Sequence, residues 1–178
     1  MRVIAGVLKG RRLKTPTWDG LRPTSDKLRE TVFNILAPRI AGARVLDGYA
    51  GTGALGIEAL SRGAARVTFV DDDRRAQALI AENLAHCGVA DGYVIIRASV
   101  ARALAGLRGD SFDIMIFDPP YDEPPDDLLA GAGEHLSAGG VLVLEHARRI
   151  RTPEQAGRLR KSREVTSGDS ALAFFTNS

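Results

Sequence analysis

The sequence predicts an α/β fold with a doubly wound, mostly parallel sheet and an antiparallel final strand. Three observations predict it. After residue 40, short apolar runs alternate with helical patterns; the runs lack the polar alternation of strands that face water; and a glycine-rich loop follows the first run. The runs occupy residues 44–46, 67–70, 93–96, 114–117 and 141–144. Right-handed crossovers between such strands place helices on both faces of the sheet.

The first forty residues precede this pattern. Residues 3–13 are predicted to form two short strands around a glycine-containing turn. Pro23 and Thr24 mark the start of a helix with apolar side chains along one side between 28 and 36. Pro38 is expected to end that helix, because proline lacks the amide donor and collides with the preceding turn.

The last part of the chain indicates a change of strand direction. Residues 162–165 and 171–175 flank the turn sequence Ser167-Gly168-Asp169. We expect an antiparallel pair here that closes the sheet. Between the second and third apolar runs, residues 76–84 have a helical pattern that stops near Gly88.

Composition limits the class of protein. The chain has 178 residues, of which 44% are hydrophobic and 26% charged, as in a water-soluble globular protein. Its single cysteine, Cys87, forms no internal disulfide, and no apolar run approaches the roughly 20 residues that span a bilayer. The first residues lack the apolar stretch of a signal peptide. We expect a cytoplasmic protein without a membrane partner.

The formal net charge of +2 hides blocks of opposite sign. Residues 1–14 carry bases and no acid, residues 109–147 carry acids and no Lys or Arg, and residues 148–163 are mostly basic. Either basic block alone fits a solvated face as well as a partner surface. We divide the chain into a basic β-hairpin extension, residues 1–22, and a main domain, residues 23–178.

The glycine loop predicts a nucleotide-like cofactor. Gly51 and Gly53 begin a G-x-G-x-x-G pattern after the first strand, where glycine lets the backbone turn tightly and approach a ligand. Asp71 ends the second strand about twenty residues later, where a carboxylate can hold ribose hydroxyls. This arrangement suits a nicotinamide cofactor and S-adenosylmethionine alike.

Asp47 favours S-adenosylmethionine. It precedes the loop at the end of the first strand, where a carboxylate would repel a pyrophosphate but attract an ammonium group. S-adenosylmethionine carries an ammonium and no phosphate. The alternative interpretation is that Asp47 tethers the glycine loop through backbone amides.

The motif Asp118-Pro119-Pro120-Tyr121 directly follows the fourth strand. It fits methyl transfer to a conjugated amine, because the Asp118 carboxylate and the Pro119 carbonyl can accept the two N–H bonds of an exocyclic amine and direct its lone pair. Pro119 and Pro120 stiffen the loop, and Tyr121 offers a face on which a base can stack. A rigid turn that merely ends a strand is the alternative.

These features resemble the RsmD family, bacterial guanine-N2 methyltransferases of 16S ribosomal RNA that use S-adenosylmethionine. The resemblance covers nearly the whole chain. It rests on the stretches Met1-Arg2-Val3-Ile4-Ala5-Gly6, Lys9-Gly10-Arg11-Arg12-Leu13, Arg22-Pro23-Thr24-Ser25-Asp26, Phe33-Asn34-Ile35-Leu36, Ala50-Gly51-Thr52-Gly53-Ala54-Leu55-Gly56, Glu58-Ala59-Leu60-Ser61-Arg62-Gly63-Ala64, Asp118-Pro119-Pro120-Tyr121, Glu145-His146 and Gly168-Asp169-Ser170-Ala171.

The resemblance implies that the hairpin recognises RNA. Lys9, Arg11 and Arg12 would contact phosphates, while Arg22 and Thr24 would lie close to the catalytic pocket. The implied partner is 16S ribosomal RNA, within an assembling or assembled 30S particle, and the implied state is a monomer.

Two positions depart from the family pattern. The family tends to carry Leu-Phe after the first acid, whereas this chain has Gly48-Tyr49, and we expect Gly48 to loosen the turn. After the third strand an Asp commonly accepts a hydrogen bond from the adenine amine of the cofactor. Ser99 takes that place here, and we expect a weaker contact without the charge.

Three other functions remain open from the sequence. Adenine-N6 methylation of DNA or RNA uses the same Asp-Pro-Pro-Tyr chemistry, a nicotinamide-dependent oxidoreductase uses the same glycine pattern, and an RNA-binding protein could have lost catalysis. No metal is expected, because the histidines are scattered along the sequence.

Overall fold

A computed structural model describes residues 1–21 and 23–177. The helices are α1 (Asp26–Ile40), α2 (Ala54–Ser61), α3 (Arg74–His86), α4 (Val100–Gly106) and α5 (Asp126–Gly133). The strands are β1 (Arg44–Gly48), β2 (Arg66–Asp71), β3 (Tyr93–Arg97), β4 (Phe112–Phe117), β5 (Leu136–Ala147), β6 (Gln155–Ala156), β7 (Leu159–Ser167) and β8 (Ser170–Asn177).

The strands form one eight-stranded sheet in the order β3-β2-β1-β4-β5-β8-β7-β6. The first five strands in that order are parallel, whereas β8 pairs with β5, and β7 with β8, in the antiparallel direction. This confirms the predicted doubly wound α/β fold with an antiparallel end. Because β1 lies between β2 and β4, the chain winds outward on both sides of it, and the carboxyl ends of β1 and β4 border a crevice.

Both faces of the sheet are buried, which explains why the strand sequences are apolar without alternation. Val45 and Ile114 belong to the cluster on the face covered by α1, α2 and α3. Leu46 and Met115 belong to the cluster on the face covered by α4 and α5. Successive residues of a strand, such as Val45 and Leu46, point to opposite faces. Because both faces are buried, both residues must be apolar.

After residue 40 the predicted strands lie inside the observed ones, but several boundaries differ. β5 begins at Leu136, well before its apolar run, and the two-residue β6 has no sequence signal. α1 continues past Pro38 to Ile40, so Pro38 does not end it. Pro38 lies in the last turn, where little helix remains to be disrupted, and the buried Ile40 holds the end of the helix against the core. In the described part of the chain, no helix is both long and apolar enough to cross a membrane.

The N-terminal segment reverses direction, but the two predicted strands do not form. A single bridge, between Arg2 and Arg12, replaces them. The two arms still exchange backbone hydrogen bonds, from Val3 N–H to the Arg11 carbonyl at 3.0 Å and from Leu13 N–H to the Met1 carbonyl at 3.0 Å, but other amides of the segment bond to α2. Ile4 and Ala5 donate to the Glu58 carboxylate at 2.8 and 3.0 Å, and Leu8 donates to Ser61 Oγ at 2.9 Å.

This segment is packed into the main core rather than set apart from it. Val3 and Leu13 are buried in the same apolar cluster as α1 and α2. Glu58, which receives the segment, is itself fully buried, and Arg62 Nε donates to its carboxylate at 2.8 Å. A buried carboxylate with several charge-assisted hydrogen bonds makes a stable anchor.

Candidate active site

A cavity of about 600 Å³ lies at the carboxyl ends of the central strands. The glycine loop contributes Gly51 and Thr52 to its wall, and the residues after β4 contribute Asp118, Pro119, Pro120 and Tyr121. The connection between the N-terminal segment and α1 contributes Leu21 and Thr24. Two motifs that are far apart in the sequence therefore face one space.

Asp71 fixes the conformation of the glycine loop through a hydrogen bond to its backbone. Gly51 adopts φ 56°, a left-handed conformation that favours glycine, and its N–H donates to Asp71 Oδ2 at 2.9 Å. The other oxygen, Oδ1, accepts from the N–H of Asp73 at 2.9 Å. Burial raises the pKa of Asp71. The predicted ribose-binding carboxylate thus lines the cavity and also shapes the loop beside it.

Gly53 has a different role in the loop. It adopts φ 78° as the residue before α2, and a Cβ atom there would lie 3.3 Å from the side chain of Ile80. It does not line the cavity. Gly53 therefore shapes the turn and its packing.

Asp47 lies beneath the cavity and does not line it. Its side chain is fully buried, and Oδ2 accepts from the Gly56 N–H at 2.8 Å, as the tethering interpretation requires. Its other oxygen, Oδ1, is buried without a hydrogen-bond partner among the described residues. Burial raises the pKa of Asp47 well above its usual value, and the charges of Asp71 and Asp118 raise it further. A cationic ligand near these carboxylates would relieve that repulsion.

Ser99, predicted to contact the cofactor, caps a helix in this structure. It is the N-cap of α4, and its Oγ accepts from the Arg102 N–H at 3.3 Å. The residue is exposed and does not line the cavity. The structure therefore gives Ser99 a helix-capping role, because a serine before a helix satisfies amides that have no partner inside it.

The Asp118 motif forms the opposite wall. Thr24 Oγ1 donates to Asp118 Oδ2 at 3.3 Å, which places Thr24 beside the motif as the family resemblance implies. Tyr121 Oη and Ser170 Oγ are 3.3 Å apart, so the motif is also tied to the start of β8. Arg22, which was expected here as well, lies outside the described residues.

Gly48 and Tyr49 lie between the two walls. Gly48 ends β1 in regular register with Phe117 and does not loosen a turn. A Cβ atom there would come within 2.6 Å of the Phe117 ring, so the close approach of the two strands requires glycine. Tyr49 lines the cavity, packs edge-on against Phe117, and donates from Oη to Glu123 Oε2 at 3.3 Å.

Glu145 is a cavity residue that reasoning from the sequence missed. It lies near the end of β5, is only 8% exposed, and lines the cavity. The sequence contains one signal for it: Glu145 is an acidic residue near the carboxyl end of the otherwise apolar strand β5. That strand pairs with β4, which Asp118 follows.

The predicted phosphate contacts lie away from this cavity. Lys9, Arg11 and Arg12 are exposed on the N-terminal segment. The segment meets the cavity wall near its ends, where Asn83 donates from Nδ2 to the carbonyls of Lys14 and Thr52.

The chain is similar to known proteins along nearly its whole length. The family model described as conserved hypothetical protein 95 matches residues 1–176. A Bacillus subtilis protein named as a candidate rRNA methyltransferase, YlbH, is 39% identical over 98% of both chains. The Escherichia coli ribosomal RNA small subunit methyltransferase D is 43% identical over 68% of this chain and 60% of its own length.

Two further matches extend this result. A Methanothermobacter thermautotrophicus tRNA (guanine(10)-N2)-dimethyltransferase is 38% identical over 67% of this chain and 37% of its own length. Among solved structures, a candidate methyltransferase from Escherichia coli superposes with a TM-score of 0.87 at 34% identity, covering 99% of this chain and 97% of that one.

Proposed function

The chain belongs to the family described as conserved hypothetical protein 95, the RsmD family. On that premise we propose that it is an RNA methyltransferase, which transfers a methyl group from S-adenosylmethionine to the exocyclic N2 amine of a guanine in 16S ribosomal RNA. The observation that carries the proposal is the shared cavity of the glycine loop and the Asp118 motif. The names of the rRNA methyltransferase relatives support the substrate.

The carboxylates around the cavity support the cofactor. Asp47, Asp71 and Asp118 lie close enough for their charges to raise the pKa of Asp47. This cluster favours a cation and disfavours the pyrophosphate of a nicotinamide cofactor. We propose that Asp71 holds the ribose hydroxyls and that Gly51 allows close approach of the backbone. We also propose that the buried charge of Asp47, whose Oδ1 has no hydrogen-bond partner among the described residues, attracts the cationic amino-acid end from behind the cavity wall. When bound, S-adenosylmethionine supplies an electrophilic methyl group.

The residues of the Asp118 motif would prepare the amine. Its lone pair is delocalised into the base, so it is a poor nucleophile until it is pulled toward a tetrahedral shape. Asp118 and the Pro119 carbonyl accept its two N–H bonds, and Thr24, by donating to Asp118, fixes the orientation of the carboxylate. Pro120 stiffens the loop, and Tyr121 stacks on the base. Asp118 then accepts the proton that the methylated nitrogen loses.

The lining of the cavity supports guanine over adenine. The Watson–Crick edge of guanine presents N1–H and N2–H donors, whereas adenine presents an acceptor at N1. Asp118 and Glu145 both line the cavity and offer carboxylate acceptors. The relative named for guanine-N2 chemistry supports the same choice.

The basic residues of the N-terminal segment support an RNA partner. We propose that Lys9, Arg11 and Arg12 contact phosphates of 16S ribosomal RNA in a 30S particle, with Arg22 and Thr24 near the target base. We further propose that the protein acts as a monomer in the cytoplasm, where ribosomal particles assemble.

The proposal is tested by incubating the protein with labelled S-adenosylmethionine and either 30S particles or naked DNA, followed by nucleoside analysis. We expect the label in N2-methylguanosine from the 30S particles. Label only in N6-methyladenosine would favour the adenine alternative, and no transfer to any nucleic acid would refute the proposal.

A further inference from the structure

The basic block near the end of the chain divides into paired and unpaired side chains. Arg158 pairs with Glu134 at 3.2 Å, and Lys161 pairs with Glu154 at 2.8 Å. Five other arginines of this block are exposed, and within residues 1–21 and 23–177 their side chains have no acidic partner: Arg148, Arg149, Arg151, Arg160 and Arg163. The first three directly follow β5, and we call them the rim arginines.

The rim arginines lie next to residues of the cavity wall. They follow β5 directly, and Glu145 of that strand lines the cavity. The backbone N–H of Arg148 donates to the carbonyl of Asp169 at 2.8 Å, and Ala147 pairs with Ser170. Asp169 and Ser170 are themselves part of the cavity wall. The backbone of the rim arginines is therefore joined directly to this part of the cavity wall.

The loop after Tyr121 is acidic. Asp122, Glu123, Asp126 and Asp127 are exposed there and on the first turn of α5, and Glu123 accepts a hydrogen bond from Tyr49 of the cavity wall. A phosphate backbone would be repelled at this loop and attracted at the rim arginines. The charges therefore favour one direction of approach.

We infer that the rim arginines form a second phosphate-binding surface for the RNA substrate, separate from Lys9, Arg11 and Arg12. This inference rests on the proposed function. The N-terminal segment is held by α2 and touches the cavity wall at Thr52, whereas the rim arginines are held by β5 and β8. RNA bound at both surfaces would be fixed on two sides of the cavity, so that the base between them is presented to Asp118. Phosphate contacts of this kind set position and carry no sequence information.

The test is the salt dependence of RNA binding by the full chain. The variant is the triple substitution Arg148→Gln, Arg149→Gln, Arg151→Gln, and the ligand is a labelled 16S ribosomal RNA transcript. We expect the slope of log K against log salt to be less steep than that of the wild type by about 2 to 3, because each lost phosphate contact reduces its magnitude by about 0.7–0.9.

The chain offers a matched control in Arg158→Gln, Arg160→Gln, Arg163→Gln. It removes the same charge from β7 and the residue before it, where Arg160 pairs with Thr176 near the end of β8 that is remote from Ser170. The control should keep the wild-type slope. An unchanged slope in the rim variant, or an equal decrease in the control, would overturn the inference while leaving the proposed function intact. If the wild-type protein neither binds RNA nor transfers a methyl group, the proposed function would instead be refuted.

Discussion

At the scale of single residues, the state of Asp47 is set by competition between burial and ligand charge. Without a cation nearby, burial raises its pKa, so the folded protein binds a proton more tightly than the unfolded chain does. The contribution of Asp47 to stability is then fully present at low pH and is lost as the pH rises through its raised pKa. A cation beside the carboxylate would reverse this preference.

A pH dependence of cofactor binding follows. The affinity for S-adenosylmethionine should fall as the pH is lowered through the raised pKa of Asp47, by up to about tenfold per pH unit for one coupled proton, because the neutral acid does not attract a cation. Calorimetry at a series of pH values measures this.

The variant Asp47→Asn should bind more weakly and with less dependence on pH. Asp73→Asn is the matched control, because hydrogen bonds from Arg75 lower the pKa of Asp73, the opposite direction to the shift at Asp47. Equal pH dependence in Asp47→Asn and the wild type would show that another group controls binding.

Asp118 carries the chemical step in the proposed mechanism. Asp118→Asn should lower kcat by roughly 10²–10³-fold, because the amide offers one acceptor oxygen without charge, while binding of S-adenosylhomocysteine persists. Thr24→Val removes only the hydroxyl that orients Asp118 and should cost a factor of roughly 2–10. Single-turnover measurements with 30S particles compare the two. A fully active Asp118→Asn variant would mean that the motif is a structural turn.

The site residues differ in how far the sequence could predict them. Asp71 and Asp118 end strands, and a parallel sheet brings such positions to one edge, so their placement in the cavity followed from topology. Ser99 also follows a strand, but it precedes α4 by one residue, and capping uses its oxygen. Tyr49 and Glu123 meet through a loop whose path no local pattern specifies.

At the scale of elements, the N-terminal segment depends on a few close contacts with α2. Gly6 has φ 84°, and a Cβ atom at this position would lie 1.9 Å from the carbonyl oxygen of Ser61. Neither the conformation nor the space admits a side chain. The sequence indicated a glycine turn here, but not the helix against which the turn packs.

Gly6→Ala should detach this segment locally. The expected result is faster hydrogen exchange at the amides of Ile4, Ala5 and Leu8, together with weaker RNA binding, since backbone strain alone costs about 1–3 kcal/mol and the collision adds to it. Gly10→Ala is the matched control, because Gly10 has nearly the same φ, 83°, with no atom near the added Cβ. If both variants show the same exchange rates, backbone strain at a positive φ explains the effect, and the close contact between Gly6 and Ser61 does not.

The sheet was more predictable than the segment that precedes it. Strands buried on both faces have continuous apolar sequences, so the parallel strands were evident, and the turn Ser167-Gly168-Asp169 indicated the β7–β8 pair. The predicted hairpin keeps its reversal and its antiparallel Arg2–Arg12 bridge, but its strands are not regular, since the amides of Ile4 and Leu8 bond to Glu58 and Ser61. Such long-range side-chain partners have no local signature.

At the scale of the whole molecule, ligand binding should appear as added stability. A ligand present at a hundred times its Kd stabilises a folded protein by about 2.7 kcal/mol, which for a chain of this size raises Tm by roughly 5–11 °C. We expect this increase with S-adenosylhomocysteine and none with NADH, measured by thermal denaturation. An increase with NADH alone would favour the oxidoreductase alternative.

Because the N-terminal segment docks on α2, the length of this helix sets the distance between the segment and the glycine loop. The helix begins beside the glycine loop at Gly53 and carries Glu58 and Ser61, which hold the segment, so its eight residues set the spacing between the methyl donor and the basic arm. One inserted or deleted residue would turn one end by roughly 100° relative to the other and shift it by about 1.5 Å. We therefore expect a one-residue change in the length of α2 to displace the N-terminal segment relative to the glycine loop.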